Sequence, residues 1–82
     1  MNREQIRTQV LEQLAAVAPD ADVQHLAVDA DVREALDLDS LDFLRFVGAL
    51  HKATGVSIPE AEYRTVCTVS GCVDYLAGHA SA

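Results

Sequence analysis

The chain has 82 residues, half of them apolar, which suits one domain with a single modest core and no need of disulfide staples. Its formal net charge is −7, and the acids are concentrated: between Asp20 and Asp42, eight Asp and Glu residues stand against Arg33 alone. Phosphate binding needs clustered Lys and Arg, so this field argues against a nucleic-acid partner and would attract a basic one.

No run approaches the roughly 18 apolar residues of a membrane span, and MNREQIRTQVLEQ lacks the apolar centre of a signal peptide. The expectation is a soluble, cytoplasmic monomer with no membrane partner. Cys67 and Cys72 lack the paired spacing of zinc sites and read as small core residues of a reduced compartment.

Ile6, Val10, Leu11, Leu14 and Val17 recur at three- and four-residue spacing, predicting a first helix over residues 3 to 17 that ends before Pro19. Residues 18 to 39 read as a long connection, pinned at intervals by Val23, Leu26, Val28, Val32, Leu36 and Leu38. A second helix is predicted to start at Ser40, with Asp39 as its N-cap, Asp42 in the reciprocal capping position and Gly55 as its stop. Helical geometry puts Phe43, Phe46, Val47 and Leu50 on a core face, and Leu41, Arg45, Gly48 and Lys52 on a face open to a partner. Pro59 then opens a short third helix over residues 60 to 66, with Glu60 and Glu62 suited to its positive end. A last helix begins near Val69, carries Val69, Cys72, Val73 and Leu76, and gives way to a short flexible tail over 79 to 82; the single domain is 1 to 78. Tyr63 and Tyr75 are expected at the bundle rim with their hydroxyls in water.

With Asp39 as cap, Ser40 is the first helical residue, where unpaired N–H groups create positive potential suited to an attached phosphate ester. A plain helix start explains the same three residues.

The wider pattern decides between these. LDLDSLDFLRFVGAL, then GVSIPE, then YRTVCTVSGCVDYL, resembles the acyl carrier protein family in order, spacing and residue type. The matching motifs are Asp39-Ser40-Leu41, Ile58-Pro59 ahead of the third helix, and Thr68-Val69 opening the last. The resemblance implies an all-α four-helix bundle, with a long connection between its first two helices and a short third one. It implies no catalytic residue in this chain. Ser40 would bear a covalent 4'-phosphopantetheine arm taken from coenzyme A by a phosphopantetheinyl transferase. An acyl- or amino-acid-activating ligase and a downstream transferase would load and unload it.

Two departures stand out. Many carriers have Leu-Gly two residues ahead of the motif, whereas this chain has Leu36-Asp37 and must turn without glycine. Where fatty-acid carriers of the usual type place glutamates along the second helix, this one has Arg45, His51, Lys52 and Ala53, leaving Asp42 as the acid within it. A changed partner, contacting Leu41, Asp42, Arg45, Gly48 and Lys52, is therefore expected. Phe43 and Phe46 would fill space that fatty-acid carriers use for acyl chains, which favours a short or polar cargo, acyl or aminoacyl.

Other constellations are weaker. A calcium loop starting at Asp37 would place Asp42 where a glycine is needed, and one starting at Asp29 would place Arg33 among its ligands. His25, His51 and His79 are dispersed, and no strand precedes Ser40 as a nucleophile elbow would require. The competing account is an acidic helical interaction module in which Ser40 is unmodified.

Overall fold

The computed structural model describes residues 1–79. Its α-helices are α1 (Arg3–Val17), α2 (Val32–Ala35), α3 (Ser40–Thr54) and α4 (Val69–His79), with 3₁₀ turns at Val23–His25, Glu60–Glu62 and Thr65–Cys67 and no strand among the described residues. α1 packs against both α3 and α4, and α4 also packs against the turn at 65–67. The all-α bundle expected from the sequence is present.

The long helices start and stop where the sequence places them. α1 is opened by a cap the apolar spacing does not reveal: the Gln5 N–H donates to Asn2 Oδ1 at 2.8 Å, while the Asn2 N–H donates to Gln5 Oε1 at 2.9 Å. It buries Ile6, Val10, Leu11 and Leu14. α3 buries Phe43, Phe46, Val47 and Leu50, the predicted face, and ends at Gly55, whose φ of 74° is left-handed and whose N–H returns to the His51 carbonyl at 2.8 Å. α4 buries Val69, Cys72, Val73 and Leu76. A Cβ at Gly71 would collide with the Thr65 carbonyl, so the close approach of α4 to the turn at 65–67 requires glycine there.

The connection between α1 and α3 is more ordered than a pinned loop. Asp31 caps α2 by accepting from the Arg33 N–H at 2.9 Å, and Val32 is fully buried. Val23 is buried too, and Leu26, Leu36 and Leu38 are partly so. Val28 departs from expectation: its side chain is exposed, while its carbonyl accepts from the Ser70 N–H at 2.9 Å and ties the connection to the start of α4.

α2 ends in a pair of backbone bonds that reverse the chain. The Leu38 N–H donates to the Arg33 carbonyl at 2.9 Å and the Asp37 N–H to the Glu34 carbonyl at 3.4 Å, around Asp37 at φ 54°. This is the helix-ending motif in which glycine usually takes the left-handed position. Aspartate tolerates it better than most residues other than glycine do, since its short polar side chain suits that region.

The third element also differs. Residues 60–67 form two 3₁₀ turns rather than a helix over 60 to 66, because they bury only Val66 and offer no apolar stripe to hold an α-helix against the core. Tyr75 is at the rim, but its hydroxyl donates to the Ser57 carbonyl at 3.2 Å rather than standing free in water. His79 extends α4 one residue into the expected tail, with Nδ1 2.8 Å from the Tyr75 carbonyl and its ring stacked on Tyr75. The rest of that expected tail lies outside the described residues.

Two measurements follow. Phe46→Ala and Leu50→Ala should each destabilise by about 2 to 5 kcal/mol, and Arg45→Ala and Lys52→Ala by no more than about 0.5 kcal/mol, in denaturant titrations. Asp37→Gly should raise stability by about 0.5 to 1 kcal/mol and Asp37→Val should lower it by about 1 to 2 kcal/mol, seen as opposite shifts of the titration midpoint.

Candidate functional site

α3 begins with two carboxylates that satisfy each other's backbone. The Asp42 N–H donates to Asp39 Oδ1 at 2.8 Å, and the Asp39 N–H donates to Asp42 Oδ2 at 3.3 Å. Of the donors a helix start leaves over, these are the outer two. The N–H groups of Ser40 and Leu41, between them, have no partner among the described residues. Ser40 is exposed at the first helical position, directly beside these free donors.

An anion-bearing group on Ser40 suits this geometry, because free N–H groups and the helix dipole favour negative charge there. The Asp39 and Asp42 carboxylates are turned onto the backbone, which moderates their opposition to it. Among the described residues, no group of three His, Cys, Asp or Glu side chains is placed to hold a metal. No helix among them is long and apolar enough to cross a membrane.

The surface around Ser40 is part apolar and part charged. Leu41 is 58% exposed and Leu44 47%, two large side chains in water next to the serine. Leu44 is a residue the two-face division of the helix leaves unassigned. Its spacing carried the signal, since it stands four residues after Ser40 and three after Leu41 and so shares their side of the helix. Arg45 is exposed, with Nη1 4.0 Å from Asp42 Oδ1, and Gly48, His51 and Lys52 continue the exposed face. A Cβ at Gly48 would meet nothing within 4 Å, so this glycine leaves a shallow place on open surface.

Beside Ser40 and Leu44 lies a cleft of about 330 Å³ between the start of α3 and the turn at 60–62. Its inner wall is aromatic. The Phe43 ring meets Tyr63 edge-on with centroids 5.8 Å apart and Phe46 at 6.2 Å, and the Arg33 guanidinium stands 5.4 Å over the Phe43 face.

Arg33 is held by Asp31 through a two-pronged contact, Nε to Oδ1 at 3.1 Å and Nη2 to Oδ2 at 2.8 Å. Those hydrogen bonds hold the Asp31 carboxyl below its ordinary 3.8, against a smaller opposing effect of burial, and raise Arg33. Because the folded value is depressed, the contact contributes stability above pH 3.8 that is lost as pH falls through the lowered value.

The remaining singled-out residues are dispersed. His25 Nδ1 is 2.6 Å from Asp22 Oδ2, and His51 and His79 are on other elements. Both cysteines are free thiols; Cys72 is buried, and burial first, then Cys67, pushes its thiol up to about 12.

The family model for the phosphopantetheine attachment site matches residues 4–76, nearly the whole described bundle. An acyl carrier protein of Rubrobacter xylanophilus is 34% identical over 82 residues, covering all of both chains. A polyketide-8 synthase acyl carrier protein 2 of Streptomyces avermitilis is 36% identical over 76 residues, 93% of this chain and 82% of that one. An acyl carrier protein of Campylobacter fetus subsp. fetus is 35% identical over 75 residues, 92% of this chain and 91% of that one. With its capped serine on an all-helical bundle, the chain belongs to the family of acyl carrier proteins that bear covalent 4'-phosphopantetheine.

Proposed function

We propose that Ser40 is the residue that bears the arm, and that the chain works as a carrier with no catalytic residue of its own. The observation that carries this reading is the start of α3, where Ser40 is exposed and the free N–H groups of Ser40 and Leu41 lie inside the Asp39–Asp42 cap. When bound, the group supplies a thiol on which an acyl or aminoacyl cargo is held as a thioester. Ser40 has to present its hydroxyl and nothing more, because a phosphopantetheinyl transferase can bring the base that a serine nucleophile needs. Tethering then raises the cargo's effective concentration at each enzyme that docks the carrier.

Docking falls to the residues around Ser40. Leu41 and Leu44 offer apolar anchors, Asp42 and Arg45 charges close to the serine, and Gly48 a shallow place flanked farther along the helix by Lys52. A ligase and an acceptor transferase that use this face would have to match a mixed surface rather than a row of acids. The interior favours a short or polar cargo, since Phe46 is fully buried, Phe43 nearly so, and the two rings pack together where a long chain would enter.

Incubation with coenzyme A and a broad-specificity transferase should add one phosphopantetheine to the intact mass, and Ser40→Ala should abolish the gain while helical circular dichroism is retained. Modification of the Ser40→Ala protein would overturn the assignment. For the partner face, Arg45→Glu with Lys52→Glu should weaken docking to the cognate loading enzyme by about 1 to 3 kcal/mol with the fold intact. The loss should shrink as salt rises, because electrostatic contacts are screened. Unchanged loading kinetics would remove these charges from the interface.

A further inference from the structure

Nothing in the display of Ser40 uses Cys67 or Cys72, yet the fold places them as a pair. Thr68 is the N-cap of α4: its backbone is extended, at φ −124° and ψ 155°, and its Oγ1 accepts from the Gly71 N–H at 2.9 Å while its carbonyl accepts from the Cys72 N–H at 2.9 Å. Cys67 is therefore the residue before the cap and Cys72 the fourth of the helix. These are the two positions whose side chains pack together across a capped helix start. Gly71 lets the two backbones approach closely, since the Thr65 carbonyl takes the place of a Cβ there.

Both thiols rest on one strip of backbone. The Cys67 Sγ–H donates to the Arg64 carbonyl at 2.9 Å and the Cys72 Sγ–H to the Val66 carbonyl at 3.0 Å. A thiol is a weak donor, so either contact is given up at small cost. The two differ in access: Cys67 is partly exposed at the edge of the core, and Cys72 is fully buried in it. A reagent arriving from solvent meets Cys67 first, with Cys72 behind it, which is the order of an attacking and a resolving thiol.

We propose that Cys67 and Cys72 form a thiol–disulfide modification site that exchanges with small disulfides of the glutathione type. Cys67, as thiolate, attacks one sulfur of the reagent; a mixed disulfide forms and one small thiolate leaves, taking up the proton that Cys67 gave up. Cys72 then attacks the Cys67 sulfur, and its proton passes to the second small thiolate as that leaves. Two protein thiols are oxidised to one disulfide, and the reagent is reduced to two thiols. The product ties the start of α4 to the turn at 65–67 by a covalent bond in place of two thiol hydrogen bonds, and excess small thiol reverses it. Burial of Cys72 makes the second step the slow one, because a buried thiol gives up its proton reluctantly. The site is independent of which residue bears the arm.

The test uses the full chain expressed without a transferase, so that Cys67 and Cys72 are its only thiols. The folded protein is incubated with oxidised glutathione, quenched in acid, unfolded and alkylated with N-ethylmaleimide. Cleavage after Arg64 leaves both cysteines on one peptide, residues 65–82. A mixed disulfide on Cys67 should appear first and give way to a peptide lighter by two hydrogens that takes no maleimide, and excess reduced glutathione should restore both thiols. Cys72→Ser should stop at the mixed disulfide. In Cys67→Ser, Cys72 should react at least about tenfold more slowly than Cys67 does in Cys72→Ser, since a buried thiol supplies little thiolate. Circular dichroism checks both folds, and should Cys72→Ser unfold, the wild-type course decides alone. A mixed disulfide on Cys67 that persists in the wild type beside a free Cys72 would overturn the proposal. So would a first adduct on Cys72, a disulfide-linked dimer as the main product, or an internal bond that forms only in denaturant.

Discussion

The reciprocal cap between Asp39 and Asp42 is the contact on which the display of Ser40 depends. It fixes the first turn of α3, satisfies the two outer backbone donors of that turn and leaves the two inner ones beside the serine. A single side-chain cap would start the helix equally well, at a gain of about 1 kcal/mol. The second carboxylate adds definition, by holding the Asp39 backbone and therefore the direction from which the chain enters the helix. Everything downstream inherits that direction: Phe43, Phe46, Val47 and Leu50 turn inward, and Leu41, Leu44 and Arg45 turn outward around the serine.

The approach to the cap is built with equal economy. α2 is one turn long, too short to be stable alone, and persists because Val32 is buried and Asp31 satisfies both its backbone and Arg33. Its ending at Asp37 brings Leu38 and Asp39 into α3 after a sharp reversal. Arg33 then links that approach to the inner wall of the cleft, because the guanidinium that Asp31 holds also covers Phe43. The same few residues thus position the serine and give its neighbouring cleft a polar rim on an aromatic floor.

How much of this was legible in the sequence follows from how regular each signal is. α1, α3 and α4 were readable, because several apolar residues at helical spacing and strong breakers at their ends leave little freedom; the α3 cap and its stop at Gly55 were readable residue by residue. α2 was not, since four residues with one buried valine carry no period. Pro59 signalled a helix start, but α and 3₁₀ geometry share that signal, and only the scarcity of burial over 60–67 separates them. Leu36-Asp37 announced a turn lacking glycine, though not its left-handed form. The serine was legible through family resemblance and Leu44 through its spacing, whereas the wall of the cleft depends on which elements the fold brings together: Arg33 stands over Phe43 and Phe43 meets Tyr63, across three separate segments.

The central claim is that one serine, set by the Asp39–Asp42 cap, carries the arm. Peptide-level tandem mass spectrometry of the unmutated protein, modified with coenzyme A by a transferase, tests it most directly. All of the phosphopantetheine should be found on the peptide containing Ser40, with fragment ions that assign it to that residue. Phosphopantetheine on Ser57, Ser70 or Ser81, or its absence under conditions that fully convert another acyl carrier protein, would contradict it.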